Sequence, residues 1–253
     1  MFDLYRKIES DISLLDRNAL VAMVYTAVGL TGTYYLKNPS TLLQISDGTR
    51  FESMARAVAV PDGNNLPALA YWVGILMTFY FVIPVLIVKF GFRCRLTDFG
   101  LRPQIETGFA KLLLACTALM VPLVYFLSMT AGFAAKYPFF KVADGSPYFG
   151  PAFIIWELIY FVQFFGLEFF FRGFLLNSLK PALGAYSIFV MTIPYCMIHF
   201  GKPPAETVAA VFAGIFLGWL AYRNGSIWLG LALHCTVAFS MDILALYNKG
   251  MLI

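Results

Sequence analysis

Gly166-Leu167-Glu168-Phe169-Phe170-Phe171-Arg172-Gly173 sits inside a long apolar run, residues 151–179. Four residues apart on a helix, the Glu168 carboxylate and the Arg172 guanidinium share one face. The interval between them is phenylalanine. On a water-facing helix such a pair is ordinary. Inside an apolar run of membrane length an ionised side chain is costly, so it points to function by default. The competing reading is that Glu168 and Arg172 neutralise each other and serve only to hold helices together.

The rest of the chain supports the membrane setting. Of its 253 residues, 60% are hydrophobic and only 13% charged, with a mean hydropathy of +0.76. A soluble domain carries about 25% charged residues. In lipid only helices or closed barrels satisfy the backbone, and these apolar segments are too long and uniform for barrel strands. The expected fold is therefore all-α: a polytopic transmembrane helical bundle forming a single membrane domain over 1–253. The formal charge of +4 is modest. Lys and Arg gather at segment ends, which bears on orientation, and no basic stripe suits nucleic acid. Cys94, Cys116, Cys196 and Cys235 show no CxxC spacing, so no disulfide framework is expected. Residues 1–17 carry acids as well as bases. They read as a surface helix leading into the first span, with no cleavable signal peptide.

About seven segments come close to the ~20 apolar residues that cross a bilayer. They lie near 19–36, 68–88, 112–135, 151–180, 183–200, 207–222 and 226–247. Turn signals mark the polar stretch 37–67 at Asn38-Pro39, Asp47-Gly48 and Pro61-Asp62-Gly63-Asn64. A short amphipathic surface helix is expected near 51–60. Tyr137-Pro138 and Asp144-Gly145 mark a later loop. The densest basic loop, 89–111, is placed in the cytoplasm. Alternation from a cytoplasmic N-terminus puts 172–183 and 223–225 on the same side and the C-terminus outside. No internal repeat is visible.

The only two histidines, His199 and His234, both lie in apolar segments. At ~1.5 Å per residue, Glu168 lies ~18 Å from its cytoplasmic end, His199 ~22 Å and His234 ~15 Å. Three ionisable groups on three helices thus fall at comparable depth. A carboxylate and an imidazole suffice to take a proton from water while a second group steadies the oxyanion. Arg172 would keep Glu168 ionised and oriented. The other acids read more simply. Glu157 lies three turns from Glu168 and is expected at the outer interface or a loop. Glu206 opens the sixth span, where the helix dipole favours a carboxylate, though the tight turn after His199 could fold it toward a cavity. Asp242 is a weak candidate as a polar partner for His234. Lys202 is expected to snorkel to the interface. Zinc held by His199, His234 and Glu168 is the competing chemistry. No HExxH occurs; Cys196 and Cys235 stand beside the histidines and could enlarge a ligand set.

Three segments carry a resemblance: Glu168-Phe-Phe-Phe-Arg172-Gly173-Phe174-Leu175-Leu176, Tyr195-Cys-Met-Ile-His199, and Gly225-Ser226-Ile227-Trp228 leading to His234. Together they resemble the CPBP family, the CAAX-protease and bacteriocin-processing intramembrane proteases, also called ABI. Leu96-Thr97-Asp98-Phe99-Gly100-Leu101-Arg102 is similar to the lead-in before that family's core, and the likeness spans about 96–242. The family pattern is Glu-Glu-x-x-x-Arg, then Phe-x-x-x-His, then His-x-x-x-Asn or a similar polar residue. The resemblance implies a helical fold around a water-filled cavity. In that pattern the first Glu and first His activate water, and the last His with its polar partner supports the oxyanion. The second Glu and the Arg support the site. Here Leu167 stands at the first Glu, Tyr195 at the Phe, and Ala238 at the last polar position. The resemblance thus implies an intramembrane endopeptidase, glutamate-dependent or metal-assisted. Its catalytic residues would be Glu168, His199 and His234, with Arg172 in support. No cofactor is expected, zinc being the alternative. Membrane lipid and a membrane-anchored peptide, lipidated or signal-like, are the expected partners, in a cell membrane of the bacterial inner-membrane kind. Leu167 and Ala238 keep open an inactive relative that binds a membrane partner. A proton-coupled transporter built on buried Glu and His is a third class, against which the lack of inverted repeats counts.

Overall fold

A computed structural model describes residues 6, 14–61, 63–103, 105, 107–143 and 145–252. Most of the surface helix expected over 1–17 falls outside the described residues, as do Asp62 and Asp144 of two expected turns. The helices are α1 (Arg17–Leu36), α2 (Pro39–Ser46), α3 (Glu52–Ala59), α4 (Leu66–Phe92), α5 (Phe109–Ser128), α6 (Ala131–Lys136), α7 (Pro151–Leu183), α8 (Tyr186–Met197), α9 (Pro204–Asn224) and α10 (Trp228–Asn248). No strand occurs among the described residues. Six of the helices, α1, α4, α5, α7, α9 and α10, are long and apolar enough to cross a membrane. The chain is a multi-pass membrane protein. The amphipathic helix expected near 51–60 is α3.

The fifth expected span is shorter than its hydropathy implies. Only 12 residues, Tyr186–Met197, are helical, or ~18 Å against a hydrocarbon core of ~30 Å. Gly184 at φ 53° begins it, and Gly201 at φ 85° closes the turn that follows. Pro194 lies inside and removes a backbone donor. The chain therefore turns at His199 within the apolar region, so His199 sits at a helix end.

α7 is the axis of the bundle. It packs against α1, α4, α8, α9 and α10. Phe169, Phe170, Phe171 and Phe174 have no exposed surface. They meet Tyr80, Phe81 and Phe92 of α4 at ring separations of 5.0, 5.1 and 6.1 Å. α7 runs on through Lys180 to Leu183, past the end expected near residue 180. Between Phe169 and Leu175 it widens into a π-helical stretch. The Asn177 amide donates to the carbonyls of Arg172 and Gly173 there, at 3.1 and 2.8 Å. Such wide turns recur at functional sites. By contrast α5 turns Leu114 and Phe126 outward, as a lipid-facing helix does.

The lead-in 96–102 locks onto the start of α10. The Ile227 amide donates to the Gly100 carbonyl at 3.2 Å, and the Trp228 indole donates to the Arg102 carbonyl. Gly100 has φ 88°, and a Cβ there would strike the Ile227 side chain. This clamp fixes the depth of α10, and hence of His234, against α7.

Candidate active site

Glu168 is the last residue before the π-helical stretch, and it is fully buried. Its Oε1 receives a hydrogen bond from Arg172 Nη1 at 3.0 Å and lies 2.8 Å from His234 Nδ1. The approach of the His234 ring is out of line for a good hydrogen bond, and Glu168 Oε2 has no partner. The carboxylate beside Nδ1 favours the ring form that carries its proton there. Nε2 then faces the Tyr195 hydroxyl at 3.1 Å. Phe164 stacks on the same ring, 5.3 Å away and 5° from parallel.

Tyr195 joins the two histidines. Its ring lies 4.0 Å beneath the Arg172 guanidinium, a desolvated cation–π contact of about 2 kcal/mol. Its hydroxyl meets His234, and its backbone carbonyl meets His199 Nδ1 at 2.8 Å. A carbonyl only accepts, so Nδ1 of His199 carries the hydrogen. When the ring is neutral, Nε2 of His199 is therefore left with its lone pair. Sequence reading used Tyr195 only as the aromatic before a histidine. Its spacing, four residues before His199 on one helical face, is the signal that could have marked it.

Glu168, His199 and His234, placed at one depth by residue counting, do come together, but unequally. His199, His234, Tyr195, Leu167 and Ala238 line a cavity of about 620 Å³. Glu168 and Arg172 do not; they lie behind His234. Gly230 makes this possible, since a Cβ there would strike the Glu168 carboxylate. Leu167, beside Glu168 in sequence, takes the place on the cavity wall.

The remaining acids also find their places. Glu157, expected at an interface or loop, is buried instead, facing Asp242. Asp242 accepts from the Trp156 indole at 3.0 Å and is no partner to His234. Lys202, expected to snorkel, pairs with Glu206 at 2.6 Å. Glu206 lines the cavity and also accepts from the Tyr137 hydroxyl at 2.8 Å. Burial, then nearby Tyr160 and Glu206, push Tyr137 above the usual phenol range, so it stays a donor. Lys37 reaches the same cavity; burial, then the charges of Lys136 and Lys202, push it below the usual lysine range.

No group of three or more His, Cys, Asp and Glu converges as a metal would require among the described residues. The zinc set His199, His234 and Glu168 does not fit, because Glu168 is spent on Arg172 and turned from the cavity.

Residues 149–240 match the family model described as type II CAAX prenyl endopeptidase Rce1-like. Over these residues the chain is similar to the CPBP family. The matched segment takes in all of α7, α8 and α9 and most of α10, the four helices that carry the cluster. CPBP proteins of this type form a protease family, so peptide hydrolysis is the chemistry at family level. No curated protein and no solved structure matches the chain.

Proposed function

We propose that this protein is a CPBP-type intramembrane endopeptidase acting on a membrane-anchored peptide, lipidated or signal-like, in a bacterial inner membrane. One observation carries the reading: His199 presents a free Nε2 to a cavity that it shares with His234, both rings being fixed through Tyr195. In the proposed reaction His199 Nε2 takes a proton from water as the water oxygen bonds to the scissile carbonyl carbon. The Tyr195 hydroxyl, seated against His234 Nε2, turns its hydrogen to the oxygen that gains charge. Collapse breaks the C–N bond, and the departing amine takes the proton from His199. Glu168 acts through His234, fixing its ring, and Arg172 balances the Glu168 charge. The cavity's largely apolar wall, with Trp72, Phe139 and Phe164, suits a substrate delivered from lipid.

The test is cleavage of a fluorogenic lipid-anchored peptide by the protein in vesicles. His199→Asn should lower kcat by about 10²–10⁴-fold, the usual worth of a positioned acid–base group. Equal turnover by both proteins would remove the assignment.

A second reading, a relative that binds a membrane partner without cleaving it, is favoured by Leu167 and Ala238. Both put apolar side chains on the cavity wall where the family pattern has polar ones. A wild type that binds such peptides and cleaves none would establish it.

A further inference from the structure

We infer that Glu206 supplies from α9 the water-holding carboxylate that the family pattern places at position 167. The inference rests on the peptidase reading above. Four carboxylates sit in or beside the cluster helices: Glu157, Glu168, Asp242 and Glu206. Of these Glu206 alone lines the cavity among the described residues, together with His199. Glu168 is held by Arg172 behind His234. Glu157 and Asp242 face each other away from the cavity.

The turn between His199 and Glu206 is held at several points. The Thr207 hydroxyl and the Lys202 amide both donate to the His199 carbonyl, at 2.9 and 3.1 Å. The Glu206 amide donates to the Pro203 carbonyl at 2.9 Å. The Glu206 carboxylate is gripped from two sides, by Lys202 at Oε1 and by the Tyr137 hydroxyl at Oε2. Each oxygen has two acceptor sites, so one on each remains for water. Held this way, Glu206 is an oriented ion with spare acceptor capacity.

The chemistry follows from the division of labour. Water gives one proton to His199 Nε2, its O–H bond breaking as the oxygen bonds to the carbonyl carbon. Its other hydrogen is held by Glu206, whose negative charge offsets the imidazolium formed on His199. When the C–N bond breaks, that imidazolium returns the proton to the amine. Glu206 ends as it began.

The experiment compares wild type, Glu206→Gln and Lys202→Met in vesicles containing a lipid-anchored fluorogenic peptide, with thermal unfolding of each in detergent. Gln keeps an acceptor for Tyr137 and loses the charge. Expected for Glu206→Gln is a kcat loss of about 100-fold or more, with KM and unfolding midpoint near wild type. Lys202→Met leaves the carboxylate but removes one of its two grips, so it should lower kcat by clearly less than Glu206→Gln does. Adding Leu167→Glu to Glu206→Gln should recover turnover if the two positions serve the same water. Unchanged kcat in Glu206→Gln, or an equal loss in Lys202→Met, would show a structural ion pair and overturn the inference, leaving the peptidase reading intact. A wild type inert on these peptides would instead remove the peptidase reading, and the inference with it.

Discussion

α7 and α10 meet at two carboxylate sites, and the two are opposites. Toward the π-helical stretch, Glu168 faces Arg172 and the His234 ring. Three turns earlier on α7, Glu157 faces another acid, Asp242, which accepts from the Trp156 indole. Helices, residue chemistry and burial are alike; only the first acid has a cation. The difference teaches that a carboxyl buried in this bundle is not by itself a mark of the candidate site. What sets the candidate site apart is a compensated charge set against a ring that opens on the cavity.

Removing the compensation should have the largest effect. In Arg172→Ala the Glu168 carboxylate keeps its burial and loses its guanidinium, and Tyr195 loses the cation over its ring. Breaking one side of a buried ion pair costs about 3–5 kcal/mol. SDS titration in mixed micelles should show a loss of that size. A loss below about 1 kcal/mol would mean that the pair behaves as a surface ion pair, and the contrast between the two sites would fail.

A smaller effect tests how the compensated site is closed. α10 approaches α7 closely only because residue 230 has no side chain, and a Cβ there would strike the Glu168 carboxylate. Gly230→Ala should therefore overpack the site and cost about 1–3 kcal/mol. It should also shift the His234 ring signals in NMR spectra of the detergent-solubilised protein. An alanine variant as stable as the parent, with an unmoved ring, would show that the helices have slack at this level.

Much of this was legible in the sequence. The spans follow from apolar length, and Glu168 and Arg172 pair because four residues make one helical turn. Counting from the segment ends brought Glu168, His199 and His234 to one level. Counting could not say which of them faces the cavity, because successive residues on a helix point about 100° apart. Leu167 and Glu168 are neighbours in sequence, yet one lines the cavity and the other is sealed behind His234. That rotation is set by packing, above all by the close approach at Gly230. The shortness of α8 was likewise hidden, since hydropathy runs on through His199 while Gly184, Pro194 and Gly201 bend the backbone. The meeting of Glu157 with Asp242 joins opposite ends of the cluster's sequence, and no local period announces such a contact.

The smallest predicted effect is at that acid pair. Neither Glu157 oxygen has a hydrogen-bond donor, and Asp242 Oδ1 lacks one too. Two facing carboxyls without a cation are held together only by a proton between them. An amide at 157 would offer that donor permanently. Glu157→Gln should therefore change stability by no more than about 1 kcal/mol, toward a gain, the worth of one hydrogen bond. The same SDS titration used for Arg172→Ala reads it directly. If the amide cost as much as the lost guanidinium, Glu157 would have to be an ion with a compensating partner of its own, and the two sites on α7 and α10 would be alike after all.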